Sequence, residues 1–282
     1  MTKTGIFLVS FFIIIVSCEK DINWEVNESQ TRLIAEGMIT DEYKQHSIAL
    51  TKSHSYYNSD IPEPVCEAEV TISVDDTVYR FIEINVFPGL YMSQVPFSGV
   101  AGKSYYLSIK LKNEIFGNKE YTAFSVLKQP FNLDSINIFF YENPSDGLFN
   151  YESKMYFTIF GKEPETTGDY YILKVYKNNT LFTERITDLQ LIDDRWCNGL
   201  NIIKTADFGF FQPVSQNDTL LLEILSIENE YYNYLNQIKQ ELGAKDPFGF
   251  LAPPSNIQGN ISNGAMGYFY TTSSRKSFII LE

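Results

Sequence analysis

The sequence predicts an all-β protein: an N-terminal immunoglobulin-like β-sandwich over residues 31–129, then a second β-rich domain over 130–282 with one α-helix near 227–243. Three observations predict it. Short segments alternate apolar and polar residues at period two, the pattern of strands with one face buried and one wet. Aromatic strand formers are abundant, with 19 Tyr and 22 Phe. A helical period of three and four occurs in one place, SIENEYYNYLNQIKQELG.

In chain order, the first element is MTKTGIFLVSFFIIIVSCEK. Its apolar run, 5–16, would span only about 18 Å as a helix, short of the roughly 30 Å hydrocarbon core of a bilayer. Lys3 before the run and Ser17 after it give the basic, apolar, small-residue order of an export signal. Ile15-Val16-Ser17-Cys18 resembles the lipobox of bacterial lipoproteins, in which the cysteine is acylated and the signal, here 1–17, is removed. Cys18 is therefore the expected lipidation site. Two or more acyl chains make a stable membrane anchor, each buried methylene contributing about 0.8 kcal/mol. Residues 18–30, polar and without period, read as a lipid-anchored tether.

Strands follow at 32–40, 47–53, 68–74, 77–84, 104–112 and 121–127. In AEVTISV, Val70, Ile72 and Val74 share one face and Glu69, Thr71 and Ser73 the other; YYLSIKLK repeats this with Leu107, Ile109 and Leu111. Several short alternating strands without interleaved helices read as a sandwich. Pro130 marks the boundary, since proline cannot sit in a central strand. Strands then resume at 133–141, 154–160, 169–176, 181–187 and 219–227. The helix carries Tyr231, Tyr234, Leu235, Ile238 and Leu242 on one stripe, with Ser226 as a candidate cap and Gly243 as its stop. A Pro/Gly/Asn-rich stretch precedes two closing strands, 267–272 and 276–281.

Composition limits the functions open to this chain. A formal net charge of −13 repels a phosphate backbone, so no nucleic-acid partner is expected. SGVAGKS ends like a phosphate-binding loop, but Phe97 stands where the first glycine is required and a strand follows where a helix should. The two histidines, His46 and His54, read as surface residues and are too few for most zinc sites. No nucleophile elbow or calcium-loop run is present. Among carboxylates, adjacent Asp193 and Asp194 would point to opposite faces of a strand, and Glu163 and Glu165 flank Pro164 in what reads as a solvated loop. No catalytic residue, metal site or cofactor is assigned, and the expectation is a non-enzymatic protein. Cys66 and Cys197 read as buried free thiols, with no spacing that brings them together.

The lipobox, PGLY at 88–91, GKSYYLSI at 102–109, the EYYNYL helix, PPSNIQGN and GAMGYF occur in an order that resembles one family of Bacteroidota lipoproteins, the domain of unknown function 4249 family. The resemblance implies an outer-membrane lipoprotein, often encoded beside a TonB-dependent receptor, with no established activity. It supplies no catalytic residues. The expected role is that of an accessory or ligand-binding partner of such a receptor, facing the surface or the periplasm; the alternatives are a glycan-directed hydrolase using unidentified carboxylates, or an adhesin or structural surface protein.

Two further groups of residues are candidates. Asp-Ser/Thr-apolar triplets, which resemble the O-glycosylation sites of exported Bacteroidota proteins, place Thr77, Ser135 and Thr219 at strand starts. Tyr231, Tyr232 and Tyr234 on the helix, with Phe248, Phe250, Pro253, Pro254, Asn256 and Tyr268, either close the core of the second domain or line a platform for a glycan or peptide. The weight falls on core closure.

Overall fold

The computed structural model describes residues 30–53, 62–142, 153–165, 168–183, 185–195, 201–207, 214–243 and 257–281. Cys18, the export-like run, His54, Cys197, Phe248, Phe250, Pro253, Pro254 and Asn256 lie outside them.

The N-terminal strands are β1 Leu33–Thr40, β2 Ser47–Lys52, β3 Glu69–Val74, β4 Thr77–Ile84, β5 Phe87–Ser93, β6 Ser104–Ile115 and β7 Asn118–Val126. Then come β8 Asn132–Glu142, β9 Ser153–Lys162, β10 Tyr170–Lys177, β11 Thr180–Leu181, a 3-10 turn Ile186–Asp188, β12 Gln190–Asp193, β13 Asn201–Asp207 and β14 Thr219–Ile227. Helix α1, Asn229–Gly243, precedes the last strand, β15 Met266–Ile280. The protein is all-β with a single α-helix among its described residues.

Alternation in the sequence becomes burial in the fold. Val70, Ile72, Leu107 and Ile109 are buried in the first core with Leu33, Ile39 and Ile48, while their strand neighbours face outward. Gly102 has φ +84° and its N–H donates to the Leu127 carbonyl, so Gly102-Lys103 is the turn into β6 that the sequence indicates. A second core is built from Phe131, Phe157 and Ile159 of the small sheet β13-β9-β8 against Leu173, Val175 and Leu222 of β10 and β14. A third packs α1 through Leu235 onto Ile172, Leu225 and Ile227.

The closing strand differs from the expectation. It is one strand rather than two, and it serves both halves. Met266–Thr272 pairs in parallel with β1, and Ser273–Ser226 through Ile280–Thr219 pair antiparallel with β14. The large sheet therefore runs β11-β10-β14-β15-β1-β2-β5-β4-β3-β6-β7, with β12 also on β10. Phe269 of β15 is wholly buried in the first core, and from Thr31 onward the chain forms one compact unit. Gly267 makes the junction possible: it has φ +89°, and a Cβ there would lie 2.2 Å from the Ala35 carbonyl oxygen.

Four local expectations are corrected. Ser226 does not cap the helix; it lies within β14, and its Oγ accepts the Phe131 N–H at 3.2 Å. His46 is buried rather than surface, because β2 turns it inward against the edge of Phe97. Cys66 is exposed, not buried. Glu163, read as solvated, has no exposed surface and accepts the Tyr171 hydroxyl at 2.8 Å.

Candidate functional site

The outward faces of β1, β2 and β15 form the floor of the site. Leu33, Ala35 and Ile39 point into the first core, which turns Glu36 and Met38 the other way. Register then sets Glu36 beside Tyr268 and Met38 beside Tyr270 on β15, and Glu36 beside Ala49 on β2. Helix α1 forms the opposite wall with Tyr231, Tyr234, Leu235 and Ile238, and Ile186 of the 3-10 turn closes one side. Between them is a cavity of about 450 Å³, within the size range of small-molecule sites.

Four tyrosines dominate it. Tyr231 stacks on Tyr270 at 3.9 Å between ring centroids and meets Tyr268 at 4.9 Å, tilted by 44°. Tyr234 meets Tyr268 at 4.8 Å, tilted by 42°. The Tyr270 hydroxyl donates to Met38 Sδ at 3.1 Å. Burial raises all four phenols above their ordinary value, Tyr270 to about 12, so they act as neutral polar tips on apolar bodies.

Charge on the same face is organised in a row. Lys174, Glu223 and Lys276 are in register across β10, β14 and β15. Lys276 reaches Glu42 at 2.5 Å and Glu223 at 3.4 Å, and Glu42 also takes Lys44, a residue of the cavity lining, at 2.7 Å. Burial raises the Glu42 carboxyl, but the hydrogen bonds from Lys276 and Lys44 outweigh it and hold it at about 2. Glu36 is different: it is exposed and forms no ion pair with a described residue. Its charge still reaches the phenols of Tyr231, Tyr234 and Tyr270, helping to keep them protonated.

Of the residues singled out in the sequence, the fold brings Tyr231, Tyr234 and Tyr268 together here. Tyr232 points elsewhere, toward Tyr170 at 4.7 Å and Asp193 at 3.5 Å. Tyr231 and Tyr234 also pack against the third core, so core closure and cavity lining are one arrangement rather than alternatives. Sequence reasoning missed Glu36, Met38 and Tyr270. Period two would have found Tyr270 from Tyr268, and the outward face of β1 would have yielded the other two. Thr77 is exposed at the start of β4, Ser135 is exposed beside a bulge in β8, and Thr219 is half-buried at the start of β14.

Elsewhere, Glu163, Asp169 and Asp194 are buried with carboxylate oxygens within 4.8 Å of one another. Oxygens at that spacing could hold a hard divalent cation. Glu163 already takes the Tyr171 hydroxyl and Asp194 the Gly168 N–H at 2.9 Å, and the cluster by itself assigns no site. No helix among the described residues is long and apolar enough to cross a membrane.

Fold and cavity together define a β-rich protein with an aromatic pocket between helix α1 and the outer face of the large sheet. The chain belongs to the family described as domain of unknown function (DUF4249), whose model matches residues 19–277. No curated protein matches it in sequence.

Proposed function

We propose that this chain is an outer-membrane lipoprotein, anchored through acylated Cys18, that serves as a non-enzymatic ligand-binding accessory of a TonB-dependent receptor. The observation that carries the binding role is the cavity of Tyr231, Tyr234, Tyr268 and Tyr270, an aromatic pocket with a few polar groups on rigid elements. The apolar run ending at Cys18 supports the anchor, and the resemblance to receptor-associated lipoproteins supports the partner. A glycan hydrolase would need two carboxylates flanking an open cleft. Among the described residues, the cluster of Glu163, Asp169 and Asp194 is buried rather than set across an open cleft, and the aromatic cavity is the feature that favours the binding role.

Purification of the full-length protein from its own cells in mild detergent tests the reading. The expected result is co-elution of a TonB-dependent receptor, and loss of both acyl labelling and membrane association in Cys18→Ala. A Cys18→Ala chain that stays membrane-bound, or turnover of a glycan panel by the wild-type protein, would overturn it.

A further inference from the structure

The ligand's chemistry can be read from the charge left over in the cavity. Lys44 is the cationic side chain in the described lining, and it is committed to Glu42, which it shares with Lys276. The remaining charge is the Glu36 carboxylate. It stands next to Tyr268 in the sheet register, in a cavity where Met38 of the floor and Leu235 and Ile238 of the helix supply apolar surface. The rings of Tyr231 and Tyr234 are tilted against Tyr268 rather than stacked flat on it, so aromatic planes meet at an angle within the same lining as Glu36. Tilted electron-rich ring faces and one unpaired carboxylate are complementary to a cation carried on an apolar body.

We propose that the cavity binds an organic cation, an ammonium-type head on an apolar or aromatic body, with Glu36 as counter-ion and Tyr231, Tyr234 and Tyr268 as its aromatic walls. This rests on the cavity being the ligand site. It does not depend on the receptor partnership. An anion is disfavoured because it would have to displace Glu42 from Lys44. A neutral sugar would gain nothing from the Glu36 charge.

The test is calorimetric titration of the full-length protein with benzyltrimethylammonium, benzyl alcohol and benzoate, three probes that share a ring and differ in charge. The expected order is the cation tightest, the alcohol at least tenfold weaker, and benzoate weakest. Glu36→Gln keeps shape but removes the charge, and should weaken the cation at least tenfold without affecting the alcohol. Tyr234→Ala should weaken both, and Tyr234→Phe should restore cation binding. Glu36 and Tyr234 lie on exposed or half-buried positions, so folding of the variants can be verified by thermal unfolding. The proposal is overturned if the cation binds no tighter than the alcohol, if benzoate binds best, if Glu36→Gln retains wild-type affinity, or if no probe binds. A receptor that co-purifies while the cation fails to bind would sink this inference alone; cation binding without a receptor would sink the partnership alone.

Discussion

The side-chain amide of Asn260 pairs with both backbone groups of Phe269: its Oδ1 accepts the Phe269 N–H at 2.9 Å, and its Nδ2 donates to the Phe269 carbonyl at 2.6 Å. The same Nδ2 reaches the Phe124 carbonyl of β7 at 3.2 Å. One side chain thus substitutes for strand pairing where β15 passes β7, with Phe269 buried behind it.

Replacing Asn260 by alanine strands two backbone groups of a buried strand. The expected loss is about 1–3 kcal/mol, the cost of leaving such groups unpaired, read as a lower urea midpoint at unchanged slope. Asn260→Asp keeps the acceptor but sets a carboxylate oxygen against the Phe269 and Phe124 carbonyls, and should cost at least as much as alanine.

Gly267→Ala should cost at least about 2 kcal/mol, since it combines a left-handed backbone unfavourable by roughly 1–2 kcal/mol for other residues with a 2.2 Å approach to Ala35. The accompanying sign of a displaced β15 would be faster amide exchange in β1, its parallel partner. An unchanged melting temperature would contradict the geometry described at this junction.

His46 predicts a pH dependence near neutrality. A carbonyl can only accept, so the contact of Nε2 with Phe97 O at 3.0 Å puts the proton on Nε2 and leaves the buried Nδ1 without a partner. Burial lowers the pKa below its ordinary 6.5. The unfolded chain then binds the extra proton more readily, so stability is full above pH 6.5 and falls as pH drops through the folded value. His46→Leu should be less stable at pH 8 yet lose less between pH 7 and 5, measured by thermal unfolding.

Glu42 acts at lower pH. Its carboxyl, raised by burial but lowered further by Lys276 and Lys44 to about 2, contributes stability that is present above the ordinary 4.5 and is lost as pH falls toward 2. Glu42→Gln should flatten the stability profile across that window. An identical acid limb in wild type and variant would remove the Lys44–Glu42–Lys276 row from the account.

The strands legible in the sequence are those with one face buried and one wet, such as Val70–Val74 and Leu107–Leu111, because half-burial writes period two into the chain. The sequence predicts two strands where β15 runs as one, since TTSSR carries no apolar alternation. In the fold Thr271, Thr272, Ser273 and Ser274 are buried, and each hydroxyl has a partner distant in sequence: the Ser125 hydroxyl for Thr271, the Ser226 carbonyl for Thr272, the Lys128 carbonyl for Ser273 and the Glu223 carboxylate for Ser274. Local composition carries no trace of partners that far away. β5 is hidden in the sequence by Pro88 and Gly89; Gly89, with φ +78° and a close approach to Leu50, lies where the register with β4 shifts. The cavity was half legible for the same reason: its tyrosines cluster near the helix, whereas Glu36 and Met38 come from the other end of the chain and meet them only through the pairing of β1 with β15.

That pairing also sets a dependence. β15 supplies the neighbour of β1 and plugs Phe269 into the first core, and Ser274 holds Asp41 across 233 residues of sequence. Without β15, β1 has one edge unpaired and the first core has a hole where Phe269 belongs. Completion of the first core thus depends on β15, so the N-terminal strands do not close their core without a segment distant in sequence.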